Sequence, residues 1–538
     1  MRNKKIINQY YHEVIKINIK NIYVGKRLHV INAVIFLLTS FLFYGNYINN
    51  VLGNETYGKY IASPGMGNNM GWLLYNDPRP ILAVYYKIFY ELNLNPTHFI
   101  SITEGIAIFL QALTCFVAYY YILNKIKQNN IVKIYSYLLT MLSTIIVWFN
   151  PLFTDNLQYP EIIVMIFLGN LSAVCAAVVI SKSCKWWWKD CILSCILLII
   201  PMYTYQSAVY FYVLYAMIFY LADYMRYKRK NLIYNIYTNL LKRIGVYVVV
   251  AIFEFLYFSI FVTDNAPRGN LHNVNILNNV LHLQVNVHNR IVNTFGLYPK
   301  YFMISIIMFV CIVIAYNIFM CKQSKKIEIT IVSIMAFIGP FIALFIFGIL
   351  ESWLQPTSIS GLPSLVSLSI FILLIMCTYL DGKQLDIKYN KVLIIFIQLL
   401  VFSFVMIGYR ITNIISVNTF ITNTIEQENT KFYLDTIKVY EKNTGKKILN
   451  IALAKDEIFT EKFGDYRYSP DRINERVYER LLEAKSETSI FQYLGESNLK
   501  RVEMPDEIYI KYFSGKNWNE LSQEQIICIG DTAYICLY

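Results

Sequence analysis

The chain alternates long apolar runs with short polar connections over most of its length. We predict eleven membrane spans, at roughly 30–49, 99–122, 131–149, 162–181, 191–205, 207–222, 244–263, 301–320, 329–350, 363–380 and 392–415. Each run approaches the about 20 residues that an α-helix needs to cross a bilayer. The fifth and sixth runs are short, and we expect them to form a tight hairpin around Tyr205-Gln206. The pattern predicts an α-helical polytopic membrane protein with about 11 transmembrane helices.

Composition supports this class and excludes several others. Of the 538 residues, 56% are hydrophobic and 15% are charged, whereas soluble proteins usually have about 25% charged residues. The mean hydropathy is +0.42. The ten cysteines lie mostly singly within apolar runs and form no C-x-x-C motif or Cys/His cluster, so no zinc or redox site is expected. A disordered chain, a secreted disulfide scaffold and a cytosolic enzyme are excluded.

The distribution of basic residues predicts the orientation. With the N-terminus inside, the inner segments hold 25 Lys and Arg when Lys133 at the inner edge of the third span is included, and the outer loops before the tail hold 6. The positive-inside rule therefore places the N-terminus in the cytoplasm. A positive net charge is also typical of proteins that bind nucleic acids. Here the positive charge lies in short loops between apolar spans, so no nucleic-acid partner is expected. We therefore predict a basic cytoplasmic segment at residues 1–29 and a transmembrane domain at residues 30–416. The long outer loops of this domain are predicted at 50–98 and 263–300.

Residues 417–538 have the composition of a soluble domain, with 16 basic and 20 acidic residues, and the predicted topology makes this domain extracytoplasmic. We predict strands at 447–454 and 508–513, a helix at 471–485, and a hairpin at 525–537. The hairpin turns at Gly530-Asp531, which places Cys528 opposite Ala533. The pattern predicts a small α+β domain without a catalytic constellation.

The first outer loop has the clearest chemical pattern. Residues 81–92 are amphipathic and suit a helix lying along the membrane surface. Such a helix would hold Asp77 and Arg79 near the headgroups, where a carboxylate can act as a general base and an arginine can bind a phosphate. The alternative is an Asn-Asp-Pro turn with Arg79 anchored on lipid headgroups, and these residues alone leave both open.

Two acidic residues fall within predicted spans. Glu104 lies near the outer end of the second span and can border a catalytic cavity. Glu254 lies in the seventh span, where a functional role and a structural hydrogen bond to a neighbouring helix are equally open. His272, His282 and His288 share a loop without metal-ligand spacing, so neither a metal nor another cofactor is expected.

Three segments together resemble the Gtr-type (type II) membrane glucosyltransferases. Residues 71–80 have the pattern G-W-x-L-Y-x-x-x-R-P, residues 150–159 are similar to the family's N-P-F-x-x-E-N-L-x-Y stretch, and Tyr205-Gln206 matches its Y-Q pair. The resemblance covers roughly residues 30–225. The sequence departs from the family's pattern at three places. It has Asn54-Glu55 where the family has Asp-Asp, its acid at Glu161 is displaced by about one position from the family's acid, and it has no arginine near residues 355–363.

The resemblance implies a GT-C-like enzyme of the bacterial cytoplasmic membrane. Such an enzyme moves a sugar, here glucosyl, from a polyprenyl-phosphate carrier to an envelope glycan such as O-antigen or teichoic acid. It implies catalytic roles for Glu55 and Asp77, with Glu55 the favoured base, and donor-phosphate binding by Arg79. Arg268 and Arg290 are added as phosphate-binding candidates because they lie in the other long outer loop, where contact with lipid phosphates is the alternative. The substrate-binding residues that we carry over or add by position are Trp72, Glu104, Asp155, Asn156, Tyr159, Glu161, Tyr205 and Gln206. Membrane lipids, a small flippase and a sugar-lipid synthase acting upstream are the other partners implied.

Two other classes remain open from the sequence. Another envelope-polysaccharide protein, such as a polymerase or an O-acyltransferase, would share the topology, and His98 is the histidine near the first loop that an acyltransferase would use. A transporter or flippase is the other alternative. Transporters commonly have internal repeats and several intramembrane charges. The absence of a visible repeat and the long first outer loop favour the glycosyltransferase.

Overall fold

The structure is a computed structural model. It describes residues 27, 29–48, 67–94, 96–127, 134–182, 187–229, 233–263, 298–299, 301–302, 304–305, 308, 387–456, 487–494 and 499–537. Within these residues the chain is mostly helical and ends in a small β-sheet.

The first ten helices in the described part of the chain account for the membrane domain. They are α1 (His29–Tyr47), α2 (Gly67–Tyr75), α3 (Pro80–Glu91), α4 (Ile100–Lys127), α5 (Ile134–Trp148), α6 (Ile163–Ile180), α7 (Trp187–Thr204), α8 (Val209–Arg229), α9 (Ile233–Phe261) and α10 (Ile387–Thr444). Short 3₁₀ segments lie at Pro96–Phe99, Pro151–Gln158 and Gln206–Ala208.

Seven described helical segments are long and apolar enough to cross a membrane, and each coincides with a predicted span. They lie in α1, α4, α6, α7, α8, α9 and α10. The span predicted at 131–149 is the shorter helix α5, of 15 residues. The predicted spans at 329–350 and 363–380, and most of 301–320, lie outside the described residues. The predicted tight hairpin is confirmed, because α7 ends at Thr204 and a 3₁₀ turn at Gln206–Ala208 leads directly into α8.

Helix α6 lies at the centre of the packing, between α4, α7 and α8. Two thirds of its residues (67%) are buried, and its small residues allow close helix approach, as is common within membranes. A Cβ atom at Gly169 would lie 3.0 Å from Thr204 Oγ1 and 3.4 Å from Pro201 Cα. The glycine therefore lets α7 pass next to α6 just before the Tyr205 turn.

The segments predicted to lie outside meet at one end of the helices, which we call the Arg79 end. The α2–α3 connection contacts the Tyr205–Gln206 turn, and α3 contacts the residues before α6. The end of α9 joins them, because Thr263 N donates to Tyr75 O at 3.1 Å and Tyr257 Oη donates to Leu74 O at 2.9 Å. This arrangement brings together loops that are far apart in the sequence.

The opposite end, which we call the Arg243 end, is joined by a buried ionic network. Asp223 of α8 contacts Lys125 Nζ of α4 at 2.6 Å and Arg243 Nη2 of α9 at 2.8 Å. Both cations also bond to Ser181 after α6, Lys125 to its carbonyl and Arg243 to its hydroxyl. The network connects four helices at the end that the charge pattern predicts to be cytoplasmic.

Helix α10 connects the membrane domain to the tail. Its 58 residues run through Val417 without interruption, so the expected domain boundary at 417 lies inside a helix. In its first half, a Cβ at Gly408 would lie 3.7 Å from Pro151 Cδ and 3.4 Å from Tyr298 Oη. In its second half, Tyr433, Leu434 and Ile437 enter the hydrophobic core of the tail. One helix thus belongs to both cores.

The tail has a four-stranded mixed sheet in the order β2-β1-β4-β3. Its strands are β1 (Asn450–Lys455), β2 (Lys500–Val502), β3 (Ile526–Ile529) and β4 (Thr532–Leu537). Strand β1 pairs in parallel with β2 and β4, and β3 pairs antiparallel with β4. Helices α11 (Glu487–Tyr493) and α12 (Asp506–Tyr512) complete the described part.

Two of the four tail predictions are confirmed and one is wrong. The hairpin turns at Gly530 (φ 67°) and pairs Cys528 with Ala533 as expected, and β1 lies in the region predicted as a strand. The strand predicted at 508–513 is instead part of α12. A strand would turn Ile508, Ile510 and Tyr512 to one side, but Ile510 is 68% exposed and its neighbours pack inward at helical spacing. The helix predicted at 471–485 lies outside the described residues.

Candidate active site

The turn between α2 and α3 shapes the candidate site. The amides of Asn76 and Asp77 both donate to Trp72 O at 2.9 Å, and Arg79 N donates to Leu73 O at 2.7 Å. Pro80 then begins α3 at a position where its missing amide hydrogen costs no helical bond. The backbone is thereby fixed on both sides of Arg79, and its side chain leaves the turn in a defined direction.

Arg79 is held between a carboxylate and an aromatic ring. Its Nε lies 3.5 Å from Asp77 Oδ1, and its Cζ lies 5.2 Å from the centre of the Tyr205 ring. The side chains of Arg79 and Asp77 are only 11% and 15% exposed. Gln206 Nε2 reaches Pro78 O at 3.5 Å, at the limit of a hydrogen bond. Four residues from two distant loops therefore form one charged and aromatic group, which we call the Arg79 cluster: Asp77, Arg79, Tyr205 and Gln206.

A second group lies where α3 and α4 meet the segment before α6. Tyr85 Oη donates to Glu161 O at 3.0 Å, and Thr103 Oγ1 lies 3.0 Å from Pro160 O. Burial raises the pKa of the Tyr85 hydroxyl well above its usual value, and the Glu161 carboxylate raises it further. Glu161 is fully buried and Glu104 is 2% exposed. Two acidic side chains are thus enclosed near the Arg79 end.

The residues between α5 and α6 are held by the membrane helices. Asn150 Nδ2 donates to Val147 O at 2.9 Å, and Tyr44 Oη donates to Trp148 O at 3.0 Å. Gln111 of α4 also donates to Trp148 O, at 2.8 Å. Asn156 is 3% exposed, and its buried Oδ1 accepts no hydrogen bond from the described residues. The segment therefore keeps one amide oxygen available inside a rigid frame.

The structure joins some of the predicted site residues and leaves others apart. The members of the Arg79 cluster are together, and Glu161, Glu104 and Asn156 are buried near the same end. Tyr159 is partly buried beside this core, whereas Trp72 is 50% exposed. Asp155 is on the 3₁₀ segment, but its side chain is not described. Glu55, Arg268 and Arg290, like His272, His282 and His288, lie outside the described residues.

Sequence reasoning did not single out Tyr85, Thr103 and Gln111. Tyr85 and Thr103 had no signal of their own, because their roles depend on contacts with residues 160–161. Gln111 did have a signal in the sequence, because a glutamine in an apolar span is expected to form a hydrogen bond to a neighbouring helix. Among the described residues, no group of three or more His, Cys, Asp or Glu side chains is arranged to hold a metal ion.

A family profile described as "Glucosyl transferase GtrII" matches residues 59–367, more than half of the chain. The chain belongs to this family. No curated protein and no solved structure matches the chain. The GtrII match contains the Arg79 cluster, the segment at 150–161 and both outer-loop arginines, and it begins four residues after Glu55. Together with the seven helices of the described part of the chain that are apolar enough to cross a membrane, the family assignment supports a membrane glycosyltransferase.

Proposed function

We propose that this GtrII protein transfers a glucosyl group from a polyprenyl-phosphate carrier to an envelope glycan at the outer face of the bacterial cytoplasmic membrane. The observation that carries the proposal is the Arg79 cluster, a mostly buried guanidinium fixed between Asp77 and Tyr205 at one end of the helices. The outer location follows the excess of basic residues in the segments of the other end.

Arg79 is our candidate for the donor phosphate. A guanidinium presents several N–H donors in a plane and can bind two phosphate oxygens at once. The Tyr205 ring and Asp77 restrict its orientation before any ligand arrives. A lipid-linked phosphate lies at the membrane surface, where the α2–α3 turn would meet it. Arg268 and Arg290 stay secondary candidates, on their charge and their position in the second long outer loop alone.

The proposed reaction needs one base and stabilisation of one leaving group. A carboxylate takes the proton of an acceptor hydroxyl, and the oxygen forms a bond to the anomeric carbon. The bond from that carbon to the phosphate oxygen breaks, and polyprenyl phosphate leaves with its negative charge beside Arg79. Both atoms and charge balance without a metal or redox cofactor.

Glu55 and Asp77 are the two candidates for the base. The resemblance favours Glu55. Asp77 is engaged with Arg79 at 3.5 Å, which suits a residue that orients the phosphate-binding arginine. We therefore assign the base to Glu55 and the orienting role to Asp77.

The buried polar groups next to the cluster are the proposed sugar-binding side. Asn156 Oδ1 accepts no hydrogen bond from the residues that the structure describes, and Glu161 and Glu104 are enclosed acids near the same end. Sugar hydroxyls are the donors that such acceptors bind. We include Tyr159 and Asp155 here through the resemblance. The family assignment favours an enzyme over the transporter or flippase that the sequence left open.

The test is the envelope-glycan composition, by mass spectrometry, of a deletion strain complemented with variants. Wild type should restore one side-branch hexose, whereas Glu55→Gln should not. Arg79→Lys keeps the charge but loses the planar donor pair, and we expect a loss of about tenfold or more. Lys87→Gln, at an exposed lysine on α3, is the matched control and should restore the hexose.

Two results would contradict the proposal. An unchanged glycan in the deletion strain would mean that this chain transfers no envelope sugar. If Asp77→Asn abolished transfer while Glu55→Gln retained it, the base would be Asp77 and our assignment of the two acids would be reversed.

A further inference from the structure

The first turn of α7 and the first third of α9 form an aromatic and basic rim at the Arg243 end. Lys242 Nζ of α9 lies 5.6 Å from the ring centre of Trp187 on α7, and Lys189 Nζ lies 5.4 Å from that of Trp188. The two indoles are 55% and 46% exposed. We call these four residues the Trp–Lys rim: Trp187, Trp188, Lys189 and Lys242.

The surface next to the rim is apolar. Helix α7 exposes Ile192 (53%) and Ile196 (54%), one and two turns after Trp188. Helix α9 exposes Ile244 (43%) and Val248 (45%), which follow Lys242 on the same helix. Only 28% of the residues in each of these two spans are buried, against 83% in the Gln206–Tyr224 span. Side chains of this kind require a hydrocarbon environment, which acyl chains provide.

The described side chains at this end carry a surplus of positive charge. The basic ones are Arg27, Lys125, Lys182, Lys189, Lys242 and Arg243, and the acidic ones are Asp190 and Asp223. Asp223 is already paired with Lys125 and Arg243, at 2.6 and 2.8 Å. Among the described acidic side chains this leaves Asp190 beside the two rim lysines, so the rim keeps a net positive charge. An anion at the rim would be attracted by both lysines, and a zwitterionic group would gain much less.

We propose that the Trp–Lys rim binds the headgroup of an anionic phospholipid, whose acyl chains lie against the exposed faces of α7 and α9. The lysines attract the phosphate charge, and the indoles, with an apolar body and a polar N–H, suit the boundary between headgroup and hydrocarbon. The ligand must be amphipathic because the anion-attracting residues and the apolar wall are continuous. This site is at the opposite end from the Arg79 cluster and is independent of glycosyl transfer.

The test is native mass spectrometry of the purified full-length protein with phosphatidylglycerol or with phosphatidylcholine of the same acyl chains. Wild type should retain phosphatidylglycerol preferentially. Each lysine near a membrane surface contributes about fivefold to anionic-lipid binding, so Lys189→Gln with Lys242→Gln should weaken it by about 25-fold. Lys242→Arg with Lys189→Arg should preserve it, and Lys87→Gln on α3 is the control lysine substitution at the other end.

Size-exclusion chromatography of each variant establishes that it is folded before its lipid binding is compared. Equal retention of the two lipids by wild type would overturn the proposal. So would a folded double glutamine variant with wild-type affinity for phosphatidylglycerol. Displacement of the lipid by millimolar inorganic phosphate would reassign the rim to a soluble anion and would also reject it.

Discussion

Asp223 is paired with two buried cations, and its replacement tests the packing at the Arg243 end. The change Asp223→Asn keeps the size of the side chain and removes its charge. The Asp223 side chain is 4% exposed, that of Arg243 is 2% exposed and that of Lys125 is 11% exposed. The variant would therefore leave two positive charges enclosed without the anion that contacts both.

The expected loss of stability in Asp223→Asn follows from this burial and pairing. Leaving one partner of a buried ion pair uncompensated usually costs about 3–5 kcal/mol. We expect Asp223→Asn to lower the free energy of unfolding by this amount, a shift in melting temperature on the order of 10 °C. Lys125→Met should behave differently, because it leaves Arg243 and Asp223 as a neutral pair at 2.8 Å. We expect its effect to be within about 1 kcal/mol of wild type.

The assay is thermal stability in detergent, measured as the monodisperse fraction by size-exclusion chromatography after heating. Wild type, Asp223→Asn, Lys125→Met and the surface control Lys87→Gln are compared in one lipid-free preparation. A melting temperature of Asp223→Asn equal to that of wild type would contradict this prediction. So would a Lys125→Met variant that is destabilised as much as Asp223→Asn, because charge imbalance would then not be the cause.

Three further predictions concern other parts of the molecule. Tyr205→Leu removes the ring beside the guanidinium of the Arg79 cluster and should lower kcat/KM for hexose transfer about tenfold, whereas Tyr205→Phe should retain it. Gly169→Ala places a methyl group 3.0 Å from Thr204 Oγ1 and should lower the free energy of unfolding by about 1–3 kcal/mol. At Gly245 the new methyl group would have no described atom within 4 Å, so Gly245→Ala should show no loss in the same melting assay. Burial and a nearby carboxylate raise the pKa of the Cys528 thiol to about 11, so only about one molecule in a thousand carries the thiolate at pH 8. Alkylation of Cys528 by iodoacetamide, followed by peptide mass spectrometry, should therefore accelerate steeply up to pH 11.

The membrane helices were predictable because each one satisfies its own backbone hydrogen bonds. A run of apolar residues is then enough to define a span, and the helix at Ile163–Ile180 agrees within a residue or two with the expected 162–181. The hairpin in the tail was predictable for a similar local reason. Gly530 at φ 67° makes a two-residue turn, which fixes the register of both strands.

Elements that depend on tertiary packing were harder to predict from the sequence. Residues 508–513 are mostly apolar and aromatic and suggest a strand, yet Asp506 and Glu507 begin a helix after Pro505. Acidic residues in a first turn favour a helix through its dipole, and they lie just before the residues that were predicted as a strand. The Arg79–Tyr205 contact had no local signal, because 126 positions separate the two residues. Only the resemblance placed both in one site.

Helix α10 constrains which part of the chain can take part in the proposed transfer. Gly408 is beside Pro151, close to the Arg79 end, and Tyr433 is in the core of the tail. The separation of 25 positions corresponds to about 37 Å of helix. We therefore do not expect the tail sheet to supply a base or a phosphate ligand to the Arg79 cluster. An envelope glycan is a polymer that can extend over this distance. If the tail contributes to the reaction, its role is therefore in holding the acceptor away from the membrane, and loss of a tail contact should affect KM for the acceptor rather than for the lipid-linked donor.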